Sequence, residues 1–201
     1  MKTVLLTGFE PFGGDTVNPS WEVARSLADK RLDDARIVSV RLPCAFAEAP
    51  QALRQALQRH APDFVVCLGQ AEGRSEITPE RVALNLVQAR MPDNAGAQPQ
   101  EEPVIAGGPV AYFSTLPVTR LVRRLNELNI PASLSNTAGT FVCNQVFYVL
   151  QHEWARPGRG GGFVHLPCLP EQAARHSPPA PSLPLAVQVQ AIRELLQTII
   201  A

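Results

Sequence analysis

The sequence has no net charge and no long hydrophobic run. Its 201 residues include 18 basic and 18 acidic side chains, so it offers no electrostatic attraction to nucleic acid or to an anionic membrane. The apolar run that opens the chain ends at Gly8 and Glu10, too early for a signal peptide or for the ~20 residues of a spanning helix. We therefore expect a soluble, cytoplasmic protein with neither nucleic acid nor membrane as a partner.

Motifs for metals, nucleotides and serine hydrolysis are missing as well. The four cysteines form no C-x-x-C pair (Cys44, Cys67, Cys143 and Cys168), which argues against a zinc site and against a disulfide framework. The glycines of GFEPFGG, residues 8–14, follow neither the phosphate-binding nor the dinucleotide-binding pattern. The chain also has no H-E-x-x-H and no G-x-S-x-G, so metallopeptidase and serine hydrolase chemistry are disfavoured.

Proline and glycine are abundant, with 19 and 13 residues, and the apolar fraction of 45% is enough to build one sizeable core. Strand-like and helix-like patterns alternate along the chain. The predicted strands are 3–7, 36–42, 63–68, 81–89, 132–136 and 162–166. Five helices are predicted. The first begins at Pro19, the second leads up to His60, the third begins at Pro117, the fourth spans 141–154 and the fifth closes the chain. This alternation predicts one domain over residues 1–201, a three-layer α/β/α sandwich with a mainly parallel twisted sheet.

In such a sheet, ligands bind beyond the carboxyl ends of the strands. Four loops that leave predicted strands are unusual: GFEPFGG, GQAEGRSE, NTAGTFVCN and HLPCLPEQ. A further loop, MPDNAGAQPQEEPVIAGGPV, is so long that it is expected to be functional or disordered. We look for the chemistry in these segments.

Cys143 is the best candidate nucleophile. If Thr140 caps the predicted helix 141–154, Cys143 lies in its first turn, where the positive end of the helix dipole favours thiolate over thiol. Backbone N–H groups at the same place would also stabilise an oxyanion. The other three cysteines are interpreted as small core residues.

A cysteine nucleophile commonly needs an imidazole, and His165 is placed best because it ends a buried strand at the same rim of the sheet. The remaining histidines are predicted on helix surfaces or beside a proline-rich segment (His60, His152 and His176). A carboxylate that orients the imidazole could come from Glu72, Glu76 or Glu80, and spacing does not choose among them. From the residues alone, the prediction is a cysteine hydrolase or transferase.

The same segments resemble the pyroglutamyl peptidase type I family of cysteine peptidases, also called pyrrolidone-carboxylate peptidases. The resemblance covers nearly the whole chain through TGFEPFGGDTVNPSWEVA, LGQAEGRSEITPERVALN, ARMPDN, NTAGTFVCN and GFVHLPCLPEQAA. It implies removal of an N-terminal pyroglutamyl residue from peptides. By motif, the family's nucleophile falls on Cys143, its histidine on His165 and its third catalytic residue on Glu80.

The resemblance also implies how the substrate is held. The pyroglutamyl lactam is small, flat and uncharged, so it calls for an apolar slot with a few placed hydrogen bonds. By resemblance, that slot is lined by Phe9, Phe12, Phe141 and Val142. Asn18 and Gln70 are the nearest polar candidates for the ring N–H and C=O or for fixing the loops, and Arg90 is expected to help to hold the acyl carbonyl.

The implied mechanism is acyl transfer. Cys143 attacks the pyroglutamyl carbonyl, His165 protonates the leaving amine, and water then hydrolyses the thioester. No metal or organic cofactor is implied, and bacterial relatives lead us to expect a homo-oligomer, a tetramer by resemblance. Cys168 is interpreted as a buried bystander, with a disulfide to Cys143 on oxidation as the alternative.

Two other functions remain to be distinguished by experiment. One is an amidase of free lactams or a glutamine-type amidotransferase, and the other is a non-catalytic binder of lactams.

Overall fold

The computed structural model describes residues 1–156, 159–175 and 177–201. Within these ranges the strands are β1 (Lys2–Phe9), β2 (Arg31–Leu32), β3 (Ala35–Leu42), β4 (Phe64–Gln70), β5 (Thr78–Pro79), β6 (Val82–Leu84), β7 (Ala111–Phe113) and β8 (Gly161–Leu166). The helices are α1 (Pro19–Leu27), α2 (Ala49–His60), α3 (Val118–Glu127), α4 (Val142–Glu153), α5 (Pro170–Ala173) and α6 (Leu185–Ile200). Strands and helices alternate along most of the chain, as predicted.

The central sheet has the order β2-β3-β1-β4-β8-β5. Its four inner strands, β3, β1, β4 and β8, are parallel, and the short edge strands β2 and β5 are antiparallel to their neighbours. Strands β6 and β7 form a separate two-stranded antiparallel sheet. The predicted α/β fold with a mainly parallel sheet is thus confirmed.

Helices cover both faces of the sheet, because the inner strands are buried on both sides. On one face, Leu6 and Val164 pack with apolar residues of α1, α3 and α6. On the other face, Leu5 and Phe163 pack with apolar residues of α2 and α4. The second face carries the residues that matter below.

The first helix, α1, begins at the capping residues that the sequence predicts. Asn18 is its N-cap, with the Ser20 N–H donating to Asn18 Oδ1 at 3.1 Å, and Pro19 is the first helical residue. Proline is favoured there because its missing N–H would have no helical partner. This interaction shortens the loop after β1 and fixes where it turns back.

Two predicted strands differ from the structure. Only Val82–Leu84 of the segment 81–89 is a strand, and it pairs with β7 rather than with the central sheet. The segment 132–136 is not a strand: it makes isolated bridges from Ala132 to Ile77 and from Ser135 to Glu80. The Ser135 hydroxyl bonds locally to the Thr137 carbonyl, and such local bonds compete with strand pairing.

The histidines that were not chosen lie away from the sheet rim where the structure describes them. His152 is exposed and bonds the Tyr112 hydroxyl, and His60 ends α2. His176 falls outside the described residues. Across the described ranges, no helix has the length and apolarity needed to cross a membrane.

Candidate active site

A cavity of about 410 Å³ opens at the carboxyl ends of β1, β4 and β8. All four loops that the sequence singled out contribute side chains to it. The residues that line it are Phe9, Phe12, Gly13, Asp15, Asn18, Cys44, Gln70, Ala71, Glu72, Arg74, Arg90, Met91, Ala138, Gly139, Phe141, Cys143 and His165. Cys143 and His165 therefore share one cavity.

Cys143 is the second residue of α4, because Phe141 is the N-cap of that helix. The prediction of Thr140 as N-cap is wrong by one residue, and the Thr140 hydroxyl donates to the Gln88 carbonyl at 2.8 Å. The first helical bond runs from the Gln145 N–H to the Phe141 carbonyl. The N–H groups of residues 142–144 have no acceptor within the helix and point toward its open end, so Cys143 lies beside potential oxyanion donors.

The protonation state of Cys143 differs from the expectation. Burial, with Cys44 and Glu80 nearby, raises the pKa of the Cys143 thiol well above its ordinary value. The helix N-terminus does not make Cys143 a thiolate, because loss of hydration disfavours the charged form. A neutral thiol must give up its proton as it attacks, which makes a neighbouring base necessary.

Glu80 is the carboxylate that the fold brings to the imidazole. Its Oε1 lies 2.7 Å from Nδ1 of His165, and its side chain is fully buried. Glu80 follows β5, whose residues Thr78 and Pro79 pair with His165 and Val164 of β8. Glu72 is exposed at the cavity and Glu76 is partly buried, and neither occupies this position.

The two groups have complementary charge preferences. Burial lowers the pKa of His165 although Glu80 raises it, so the imidazole is neutral at neutral pH. The pKa of Glu80 is also lowered, since the effects of His165 and Arg74, which both contact its Oε1, outweigh the opposing effect of burial. A neutral imidazole held by a carboxylate is a competent base for the Cys143 thiol.

Gly69 provides the space in which the sulfur sits. It pairs with His165 in the parallel register of β4 and β8. A methyl group built on Gly69 would lie 2.8 Å from Sγ of Cys143 and 2.8 Å from Cζ of Phe163. The absence of a side chain at this position lets Cys143 approach the sheet next to His165.

We expect Gly69→Ala to lower kcat/KM by roughly 10²-fold, because a displacement of the nucleophile of about 1 Å has effects of that size. The measurement is turnover of a pyroglutamyl amide together with the melting temperature. Gly160→Ala is the matched control, since its added methyl would meet the Phe64 side chain at 3.2 Å, at the opposite end of β8. Full activity in folded Gly69→Ala would contradict this account of the sulfur's position.

An aromatic wall lines the apolar side of the cavity. The Phe141 ring packs against Phe12 at 5.1 Å and against Phe46 at 5.0 Å between centroids. Phe9 also faces the cavity, with only 2% of its surface exposed. Val142 is not brought into the cavity: it is fully buried among core residues of α4 and the sheet.

The three polar residues that were predicted to contact the substrate, Asn18, Gln70 and Arg90, all line the cavity, and they differ in their hydrogen bonds and exposure. Asn18 is engaged within the protein, donating from Nδ2 to the Glu10 carbonyl at 3.0 Å and accepting from Ser20. Gln70 accepts from Nε2 of the buried Gln172 at 3.2 Å. Arg90 is exposed at the rim.

Sequence reasoning missed several residues of the site, among them Gly69, Arg74 and Cys44. Arg74 lies in the GQAEGRSE loop, and its charge was the only available signal. Cys44, interpreted as a core residue, lines the cavity, and burial with Glu10 and Asp93 raises the pKa of its thiol to about 12. Cys168 is fully buried near Nε2 of Gln70 at 3.5 Å.

Within the part of the chain that the structure describes, no group of three His, Cys, Asp or Glu side chains could hold a metal ion. The polar groups of the cavity are arranged instead around a thiol, an imidazole and a carboxylate.

The chain is similar in sequence to known peptidases. A family model described as pyroglutamyl peptidase matches residues 2–201. A pyrrolidone-carboxylate peptidase of Cupriavidus taiwanensis is 52% identical over 201 residues, covering 98% of this chain and 93% of its own. One from Bacillus cereus is 51% identical over 188 residues, covering 92% and 87%.

Solved structures give the same result. Pyroglutamyl peptidase I of Bacillus amyloliquefaciens aligns with a TM-score of 0.94 at 47% identity, covering 99% of this chain and 97% of that one. A mutant pyrrolidone carboxyl peptidase from Pyrococcus furiosus aligns with a TM-score of 0.95 at 37% identity, covering 98% of both chains.

Proposed function

The chain belongs to the pyroglutamyl peptidase family, the cysteine peptidases that remove an N-terminal pyroglutamyl residue from peptides, and we propose that Cys143, His165 and Glu80 carry out this reaction. The observation that supports the assignment most directly is the 2.7 Å contact between buried Glu80 and His165 beside the cavity that contains Cys143. The proposed chemistry uses protein groups alone, without a cofactor.

Each residue has a distinct role in the proposed mechanism. His165 takes the thiol proton as Cys143 attacks the pyroglutamyl carbonyl, and the N–H groups at the start of α4 stabilise the oxyanion. The imidazolium then protonates the departing amine, and a water activated by His165 hydrolyses the thioester. Glu80 orients the imidazole and stabilises its charged form, as a carboxylate does in hydrolase triads.

An uncharged lactam fits the composition of the cavity. We assign Phe9, Phe12 and Phe141 to the apolar slot, because all three line the cavity and the rings of Phe12 and Phe141 pack together with their centroids 5.1 Å apart. Gln70, held by Gln172, is proposed to bond the lactam amide, while Asn18 fixes the first loop. Arg90 at the rim is proposed to approach the acyl carbonyl, and buried Val142 supports the slot from the core.

We further propose that residues 1–201 form one catalytic domain that works in the cytoplasm as a homo-oligomer, a tetramer by family resemblance, without nucleic-acid partners. Four free cysteines suit a reducing compartment, and the absence of net charge gives no attraction to nucleic acid. The exposed apolar side chains of Val110 and Phe113, 86% and 72% accessible, are candidates for contact between subunits.

The function is tested by comparing two substrates that release the same fluorescent amine, a pyroglutamyl amide and a prolyl amide. The prolyl ring lacks the lactam carbonyl and carries a charge, so we expect kcat/KM to be on the order of 10⁴-fold higher for the pyroglutamyl substrate. Comparable turnover of both substrates would favour a broad amidase. Tight binding of the lactam without hydrolysis would favour a non-catalytic binder.

A further inference from the structure

Arg74 makes the most direct contact with the proposed catalytic groups of any residue that has no assigned role. Its Nη1 donates to Oε1 of Glu80 at 2.7 Å and to the Thr78 hydroxyl at 2.5 Å, and its Nη2 donates to the Thr137 carbonyl at 3.3 Å. Oε1 of Glu80 is the same oxygen that lies 2.7 Å from Nδ1 of His165. One carboxylate oxygen thus joins a permanent cation and the imidazole.

The burial of Glu80 makes that cation necessary. The Glu80 side chain is fully buried, and a buried carboxylate is strongly destabilising unless it is paired. His165 is neutral before the reaction, because burial lowers the pKa of its imidazole, so it supplies a hydrogen bond but no charge. Of the groups in contact with the Glu80 side chain, Arg74 supplies the full positive charge.

Arg74 also connects three segments that must keep their relative positions. It lies in the loop after β4, contacts Thr78 in β5, and reaches Thr137 in the loop that leads to α4. That loop carries Gly139 and Phe141 at the cavity and leads directly into α4, whose second residue is Cys143. The guanidinium fork, with several donors in fixed directions, suits such a junction better than an ammonium group.

From these contacts we propose that Arg74 is a positioning residue: it keeps the Glu80 carboxylate charged and in place against His165, and fixes the loop before the nucleophile. This inference rests on the proposed roles of Cys143, His165 and Glu80. Arg74 is not assigned a contact with the reacting atoms.

The charge of Arg74 has a consequence for pH dependence. The charged groups that act on the pKa of His165 are Glu80 after β5 and Arg74 in the loop after β4. Cys143 at the start of α4 lines the same cavity, as do Asp15, Cys44, Glu72 and Arg90 from the surrounding loops, while β4 presents Gly69. Burial lowers the pKa of His165 and Arg74 adds to this effect, while Glu80 opposes it, so the acid limb of kcat/KM in the wild type lies below pH 6.5, the ordinary pKa of the group. Without Arg74, the pair of Glu80 and His165 has excess negative charge and binds a proton more readily, whichever group holds it.

Arg74→Gln is therefore expected to move the acid limb of kcat/KM upward by roughly one pH unit, the size typical of a neighbouring charge. The measurement is the pH profile of pyroglutamyl-amide hydrolysis from pH 5 to pH 9. Arg74→Lys, which keeps the charge, should return the limb to near its wild-type position. Arg81→Gln is the matched control. It removes the same charge at the residue that follows Glu80 in sequence, but the Arg81 guanidinium bonds Asn136 and not the Glu80 carboxylate.

An acid limb that stays in place or moves downward in Arg74→Gln would overturn the inference, even if kcat fell. If Arg74→Gln does not fold, Thr78→Val tests the same point, since it frees Arg74 from one partner without removing a charge. A smaller upward shift would then support the inference, and an unchanged limb would reject it. Failure of the proposed function is distinguishable, because it would show as an inactive wild type or as full activity in Cys143→Ala.

Discussion

Replacement of Cys143 by alanine is expected to lower kcat for a pyroglutamyl amide by a factor on the order of 10⁴ to 10⁶, as loss of the nucleophile does in other hydrolases. The reason is geometric: Cys143 is the thiol at the start of α4, next to His165 and to the free N–H groups of the helix. Cys44 also lines the cavity, but burial and the charges of Glu10 and Asp93 raise the pKa of its thiol to about 12. It does not replace Cys143.

The control is Cys67→Ala, which removes a fully buried thiol from β4 and should leave most of the activity intact. Iodoacetamide followed by peptide mass spectrometry checks the same point in the wild type, where we expect inactivation to track carboxamidomethylation of Cys143. Substantial turnover by Cys143→Ala, or inactivation that tracks another cysteine, would refute a Cys143 nucleophile.

Replacement of His165 by alanine is expected to reduce kcat by a similar order, about 10⁴-fold. The effects of residues that act as one catalytic unit are not additive, so loss of one member costs nearly as much as loss of all of them. Burial raises the pKa of the Cys143 thiol well above its ordinary value, so loss of the base should also slow its alkylation. Both effects follow from one cause, the missing proton acceptor. They are measured by steady-state hydrolysis and by the second-order rate of iodoacetamide labelling at fixed pH.

His152→Ala is the control for this experiment, since His152 is exposed on α4 and bonds Tyr112 rather than a cavity residue. It should retain near wild-type turnover and alkylation. If His165→Ala lost turnover but alkylated at the wild-type rate, His165 would be needed for protonation of the leaving amine but not for activation of the thiol.

Much of the scaffold could be predicted from the sequence because its signals are local. The buried runs that became β1, β4 and β8, and the Asn18-Pro19 cap of α1, depend on residues within a few positions of each other. The family motifs predict Cys143, His165 and Glu80 as the catalytic residues. Local patterns failed at 132–136, where an apolar alternation makes only isolated bridges.

The sequence by itself determined the alternation of strands and helices, the placement of the loops at the carboxyl ends of strands, and a thiol and an imidazole on those loops. The family motif predicts Glu80, but only the tertiary structure decided how its carboxylate meets His165, that Arg74 shares the same oxygen, and that Gly69 lies beneath the sulfur. Helical and strand periodicity is a property of neighbouring residues. The register between β4 and β8, which sets Gly69 beside His165, is fixed by packing between segments that are distant in the chain.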